Sequence, residues 1–355
     1  MRLRRIGASL AALAFALCAA ASAQAKLSAW NEGQLYFFEK VGTGAATYGW
    51  GPYWNHTCGT DQEWTVSYAG KSYGFSGTIE FGMGDITDNA SIYDLAWFKT
   101  YYQFGDLATL SLGRLRMYDY ILPSEIEGLK LGAFANKQFG AALQVTPIQG
   151  LSLGVFEQVP TSSIYAATYT GSTPWSNIST AAPIDYLDNL VGGASWAMPG
   201  VGTFEAQYSA IAKALNIGAR ATFGKVRAQV EYQYSELSGA SHEAVASVGT
   251  AIGAVSLDSD LAAMYASETL ALAGEVQAEY DLKQWAFGLL AGYDDGKGIQ
   301  LFGQAQGCWD GLELYPYAAW NFDNGSSAKL GFVYASGANG HASLVALPLT
   351  YVWAY

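Results

Sequence analysis

Three histidines, His56, His242 and His341, and three cysteines, Cys18, Cys58 and Cys308, are the only side chains here suited to relay or soft-metal chemistry. Ser241-His242-Glu243 has the residue types of a hydrolytic relay, but neighbours in sequence cannot form one directly. No CxxC and no Cys/His cluster at metal-binding spacing is present. The sequence therefore predicts no enzyme, no cofactor and no metal. What it carries in quantity is ionised and amide side chains at every second position. In KVRAQVEYQYSEL, Lys225, Arg227, Gln229, Glu231, Gln233 and Ser235 share one parity, while Val226, Ala228, Val230, Tyr232 and Tyr234 share the other. A wall of such groups wets itself and orients ions; it does not make or break bonds.

The element that puts alternate residues on opposite faces is the β-strand. The same alternation recurs over residues 62–69, 73–83, 203–211, 269–281, 297–309 and 312–323. Collected by parity, the polar faces hold Glu80, Arg114, Arg116, Glu205, Gln207, Arg220, Lys225, Arg227, Gln229, Glu231, Glu275, Gln277, Glu279, Gln300, Gln304 and Glu313. Residues 107–117 slip phase, and a one-residue bulge at Gly113 is expected to bring Thr109, Ser111, Arg114 and Arg116 to one face. Such a density of charge in a dry core would cost too much. The polar faces should enclose water.

Composition agrees. Only 14% of residues are charged and 14% are aromatic, against about 25% charged in an ordinary soluble domain. The net charge of −12 lacks the basic footprint that nucleic acid requires. Residues 1–25 read as an export signal: Arg2, Arg4 and Arg5 precede an apolar stretch, and Ala23-Gln24-Ala25 is a small-x-small cleavage site. Leu17 is too bulky for Cys18 to be the acylated residue of a lipoprotein signal. Cys58 and Cys308 remain after processing, and an oxidising envelope permits a disulfide between them. No further apolar run is long enough for a membrane helix.

The last residues, SLVALPLTYVWAY, alternate in the same way and stop on an aromatic. This resembles the terminal strand of Gram-negative outer-membrane β-barrel proteins. The resemblance implies that Tyr351, Trp353 and Tyr355 are read by the barrel-assembly machinery. It also implies an all-β, antiparallel transmembrane barrel over residues 26–355, a single domain with outer-membrane lipid around it. Short turns at 69–72, 105–106, 147–150, 199–200, 224–225, 294–296 and 324–325 alternate with longer polar stretches at 51–61, 84–93, 118–137, 159–189 and 238–268. Threading from the two ends disagrees by one strand, which leaves 16 strands as the expectation and 18 if residues 245–256 hide another.

A barrel of that size leaves an aqueous channel unless plugged, and it resembles a porin for small hydrophilic solutes. In general diffusion porins the loop after the fifth strand folds inward. Here that places Asp119, Glu125 and Glu127 opposite Arg114 and Arg116, although the PEFGG-like motif of that loop is absent. Those carboxylates read equally as solvated loop charges. Porins of this size are often homotrimers, but the sequence carries no interface signal of its own. An adhesive barrel with an occluded pore, or an outer-membrane hydrolase, are the competing functions.

Overall fold

The structure, a computed structural model, describes residues 26–50, 58–84, 94–116, 137–158, 190–210, 213–236, 239–295, 297, 311–337 and 342–354. Twenty strand segments follow in chain order. The first ten are β1 (Lys26–Val41), β2 (Thr47–Trp50), β3 (Cys58–Ala69), β4 (Tyr73–Gly84), β5 (Asp94–Phe104), β6 (Ala108–Arg116), β7 (Lys137–Ile148), β8 (Leu151–Gln158), β9 (Leu190–Met198) and β10 (Gly202–Ser209). The rest are β11 (Ala214–Phe223), β12 (Val226–Ser235), β13 (Ser241–Ile252), β14 (Val255–Ala266), β15 (Thr269–Leu282), β16 (Trp285–Asp294), β17 (Gly311–Asn321), β18 (Ser327–Gly331), β19 (Val333–Ala335) and β20 (Leu344–Ala354).

All belong to one sheet, and every pairing is antiparallel. From β3 to β17 each strand pairs with the next in sequence. β17 then pairs with β18 and β19, both of these pair with β20, β20 pairs with β1, and β1 pairs with β3. Following the hydrogen bonds from any of these strands leads back to it. β18 and β19 are one strand interrupted at Phe332, whose N–H donates to the Pro316 carbonyl at 3.0 Å. β2 pairs only with β1 among the described residues. β2 meets β1 at Leu35, Tyr36 and Glu39, whose other neighbour is β20, so it continues the β3 edge; with β18 and β19 counted as one, the described segments form a ring of eighteen, the sequence's alternative count rather than its first expectation of sixteen.

The sequence reading fails most clearly at 238–268. In place of a long loop with one hidden strand, β13 and β14 form a hairpin in which Ile252 faces Val255 across Gly253-Ala254. Gly253 has φ +65°, which a two-residue turn of this hand requires. The next connection is equally tight: Ala266 faces Thr269, and Ser267 and Glu268 adopt φ +48° and +62° without being glycine. The strand expected over 297–309 lies outside the described residues, apart from Lys297.

Burial along the strands is inverted relative to a soluble sheet. In β10, Glu205, Gln207 and Ser209 are buried while Phe204, Ala206 and Tyr208 are exposed. In β17, Glu313, Tyr315 and Tyr317 are buried while Leu312, Leu314 and Pro316 are exposed. Val230 keeps 55% of its surface exposed and Leu261 62%, against 1% for Gln207. Burying one such apolar side chain is worth about 1.5–3 kcal/mol. Leaving roughly ten of them in water would forgo as much as the whole stability of an ordinary domain, about 5–15 kcal/mol. Exposed aromatics gather on this outer face near the short-turn rim, where Trp285 meets Trp320 edge-on at 4.6 Å and Phe322 stacks on Trp353 at 5.6 Å. Tyr208, Tyr265 and Tyr293 are exposed near the opposite rim.

The inner face is not uniformly polar. Leu290, Tyr315, Tyr317, Val333, Ala335, Leu344 and Ala346 form one buried cluster on it, and Val245, Ala262, Ala271 and Ala273 a second. Gly288 makes the first possible, because a Cβ there would run into the Tyr317 ring on the adjacent strand.

Candidate functional site

The inner face of β10–β17 is built from cross-strand rows, one residue per strand. One row reads Thr203, Arg220, Gln229, Ser247, Asp260, Glu275, Gly292, Glu313. A second, nearer the short turns, reads Arg227, Gly249, Asp258, Gln277, Leu290. A third, toward the other rim, reads Glu205, Gly218, Glu231, Val245, Ala262, Ala273. Neighbouring strands lie about 4.8 Å apart, so side chains within a row are in reach of one another.

Those contacts are specific. Arg227 Nη2 reaches Asp258 Oδ1 at 2.9 Å across two strands. Arg220 Nη2 lies 4.0 Å from Glu205 Oε1. Asn216 Nδ2 donates to Glu231 Oε1. Tyr317 Oη donates to Glu279 Oε2 at 2.5 Å and accepts from Gln277 Nε2 at 2.7 Å. The Lys329 ammonium sits 4.4 Å from the Tyr317 ring centroid. A cavity of about 860 Å³ opens against this wall, with Arg227, Asp260, Glu275, Gln277, Glu279 and Lys329 among its lining. Arg227 and Asp258 are both well exposed, so their pair adds only about 0–1 kcal/mol to stability. Its effect is on the field inside the cavity.

Of the residues expected on the polar wall, Glu205, Arg220, Arg227, Glu231, Glu275, Glu279 and Glu313 share the inner parity. Glu80 holds a register position between Glu63 and Asp94. Lys225 does not sit in a strand: it occupies the β11–β12 turn, because β12 begins at Val226. Arg114 and Arg116 are corrected too. The register of β6 runs through Gly113 without a bulge on either side, pairing Leu112 with Thr100 and Arg114 with Phe98. Arg114 therefore takes the parity of Leu112, which is exposed, and Leu115 takes the inner one, where it is buried; Arg116 holds the register position opposite Lys137.

His242 is not in a loop. It lies in β13 on the outer parity, its Nδ1 2.7 Å from Tyr232 Oη. Ser241 and Glu243 flank it in the strand and so point to the opposite face, which rules out a local relay. Tyr351 pairs with Gly33 and Ala328 in the ladder, and Trp353 stacks on Phe322. Asp119, Glu125, Glu127, Tyr355, Cys308, His56 and His341 lie outside the described residues, as do Gln300 and Gln304. Cys58 opens β3. Sequence reasoning missed Asp258, Asp260 and Lys329. The alternation Leu257, Ser259, Leu261 against Asp258, Asp260 was the available signal.

No protein-family profile and no curated protein matches the chain. Solved structures do. OpdQ of Pseudomonas aeruginosa superposes at TM-score 0.57 with 12% identity, over 94% of this chain and 99% of that one. The outer membrane protein opdK of the same organism gives 0.54 and 10%, over 93% and 99%. A mutant of the porin of Rh. blastica gives 0.50 and 9%, over 93% and 100%. The fold is a porin fold. At these identities the likeness extends to architecture, and the porin side chains have no counterpart that can be carried over residue by residue.

Proposed function

We propose that the chain is an outer-membrane porin: a closed eighteen-stranded barrel whose wet interior lets small hydrophilic solutes and ions diffuse passively. The observation that carries this reading is the inverted burial, with glutamates and glutamines inside and valines, leucines and tyrosines outside. Lipid satisfies the outer face, and water satisfies the inner one. Residues 1–25 act as the export signal. Tyr351, Trp353 and Tyr355 act as the assembly signal in the periplasm, and the mature barrel assembles as a homotrimer.

On the wall of β10–β18, Asp258, Asp260, Glu275, Glu279 and Glu313 outnumber Arg220, Arg227 and Lys329, so the channel favours cations. Asp119, Glu125 and Glu127 narrow the passage from the loop after β6. With Arg114 on the outer parity, it does not face those carboxylates from β6, which strengthens the cation preference. Purified protein in a planar bilayer tests the proposal. Stable conductance steps, with a reversal potential of cationic sign in a salt gradient, are expected. Silence would remove the channel, and anionic sign would remove the assigned selectivity.

A further inference from the structure

Near the rim of the long connections, the inner face of β10–β12 carries a row of amides. Gln207 of β10 faces Asn216 of β11, and Asn216 faces Gln233 of β12. Each lies two residues from the rim end of its strand, yet they are only 1%, 4% and 3% exposed. Among the described residues neither side-chain atom of Gln207 has a hydrogen-bond partner, and Oε1 of Gln233 has none either. Buried amides are nearly always paired, and an exception marks a place where water or an ion belongs.

Carboxylates decide between the two. Glu205 and Glu231 occupy the next row, on either side of Gly218. Gly218 adds no side chain, and a Cβ placed there would find nothing closer than the Val230 carbonyl at 3.5 Å. The space between the two acids therefore stays open, and their charges are near enough to act on one another. Glu231 accepts a hydrogen bond from Asn216, a neutral donor. Arg220 Nη2 lies 4.0 Å from Glu205 Oε1. Glu243 of β13 adds a third carboxylate beside Gln233. Three negative charges with one guanidinium among them leave an excess that water does not neutralise.

Carboxylate and amide oxygens together are the donors of hard cations, and calcium takes about 6–8 oxygens in an adaptable geometry. Gln207, Asn216 and Gln233 offer amide oxygens, Glu205 and Glu231 carboxylate oxygens, and water completes the shell. Magnesium needs a smaller, near-octahedral cage and parts with its waters reluctantly; a line of amides across three strands does not supply one. No three His, Cys, Asp or Glu side chains converge as metal ligands among the described residues, so the amides are essential to the set.

We propose that Gln207, Asn216, Gln233, Glu205 and Glu231 hold one calcium-sized divalent cation on the inner face of β10–β12. The ion fastens three strands together near the rim and offsets the negative charge there. The inference rests on the ring of strands and not on the pore being open. Cysteine and histidine, from which the expectation of no metal was drawn, take no part.

The experiment is isothermal titration calorimetry of calcium chloride into the whole chain from Lys26, stripped with chelator. The protein is folded into detergent from inclusion bodies, so that no lipopolysaccharide brings calcium sites of its own. One calcium per chain is expected, bound at least tenfold more tightly than magnesium. Gln207→Leu should weaken calcium binding at least tenfold. Gln233→Leu carries the same expectation and stands in should the first variant not fold. Glu231→Gln should abolish binding. Calcium should also raise the urea unfolding midpoint of the wild type and leave that of Glu231→Gln where it is. Gln144→Leu, which removes an inner amide of β7, should bind calcium like the wild type.

Absence of calcium binding in the wild type would overturn the site and leave the amides to water. Binding undisturbed by both glutamine variants, or equal binding of magnesium, would overturn it as diffuse attraction to a charged wall. Loss with Asp258→Asn while Gln207→Leu binds normally would also overturn it, placing the ion in the cavity beside Asp258 and Asp260. Calcium binding by a protein that gives no conductance would leave this site standing and remove only the pore.

Discussion

The wall of β10–β17 and the wall of β6–β9 share one hydrogen-bonded ring but present opposite chemistry to its interior. The first lines its inner face with Glu205, Arg220, Arg227, Glu231, Asp258, Asp260, Glu275, Glu279 and Glu313. The second offers Thr109, Ser111, Ala142, Gln144, Ser152, Gly154, Gly193 and Ser195 at its inner positions. Among the described side chains of β6–β9 no ionised one takes the inner parity. Arg114 and Glu157 take the outer one, toward the rim of the long connections, and Arg116 and Lys137 are register partners near that rim. The rims differ as well. β10 to β15 are joined by connections of a few residues on both sides, whereas 117–136 and 159–189 separate the neutral strands. The ladder fixes the shape of the ring, and side-chain choice on one half of it fixes the field across the interior.

The largest effect expected concerns what the two walls have in common. Leu261→Arg on the outer face of β14 and Leu143→Arg on the outer face of β7 should each cost about 2–4 kcal/mol, read by urea unfolding in lipid vesicles. A much smaller cost at only one of them would mean that its outer face is not in lipid. Next comes the inner side, where the walls should diverge. Tyr317→Phe strips both Glu279 and Gln277 of a buried partner and should cost about 1–3 kcal/mol. Ser111→Ala on the neutral wall has no such network to lose and should cost under about 1 kcal/mol, by the same unfolding assay. Comparable losses at both would show that the charged wall is not an interdependent network.

How far these walls could be read in advance depends on the residues that make them. β12 announces itself, because Arg227, Gln229 and Glu231 alternate with Val226, Ala228, Val230 and Tyr232. β13 and β14 do not. Ser, Ala and Gly occupy so many positions of SHEAVASVGTAI that neither face looks apolar, and the turns Gly253-Ala254 and Ser267-Glu268 lack the usual Asn-Gly or Asp-Gly punctuation. β6 misled for the opposite reason. Leu115 is apolar and yet inner, so a bulge was inferred to turn it outward, and Arg114 and Arg116 inward with it. The pairs Arg227–Asp258 and Tyr317–Glu279 join residues 31 and 38 apart in sequence, and only the register of the intervening strands brings them together.

Two smaller effects sharpen the contrast. Glu268→Gly removes a left-handed conformation that costs a non-glycine residue about 1–2 kcal/mol. It should raise the unfolding midpoint of the protein by a stabilisation of about 1 kcal/mol, confirming that the charged wall is tied tightly at this rim. Arg227→Ala should change stability by no more than about 1 kcal/mol, yet leave Asp258 uncompensated and move the reversal potential further in the cationic direction. A matching Gln144→Ala on the neutral wall should leave that potential where it was.

The account rests on lipid covering one face of each strand and water the other, and spin labels along β12 read that contrast directly. Single cysteines at 226 to 232, in a protein whose own cysteines are replaced by serine, would be labelled after folding into lipid vesicles. Their collision rates with oxygen, which partitions into lipid, and with a water-soluble nickel chelate would then be compared. The account predicts oxygen access at 226, 228, 230 and 232 and nickel access at 227, 229 and 231. Nickel access at the even positions, or no alternation at all, would contradict it.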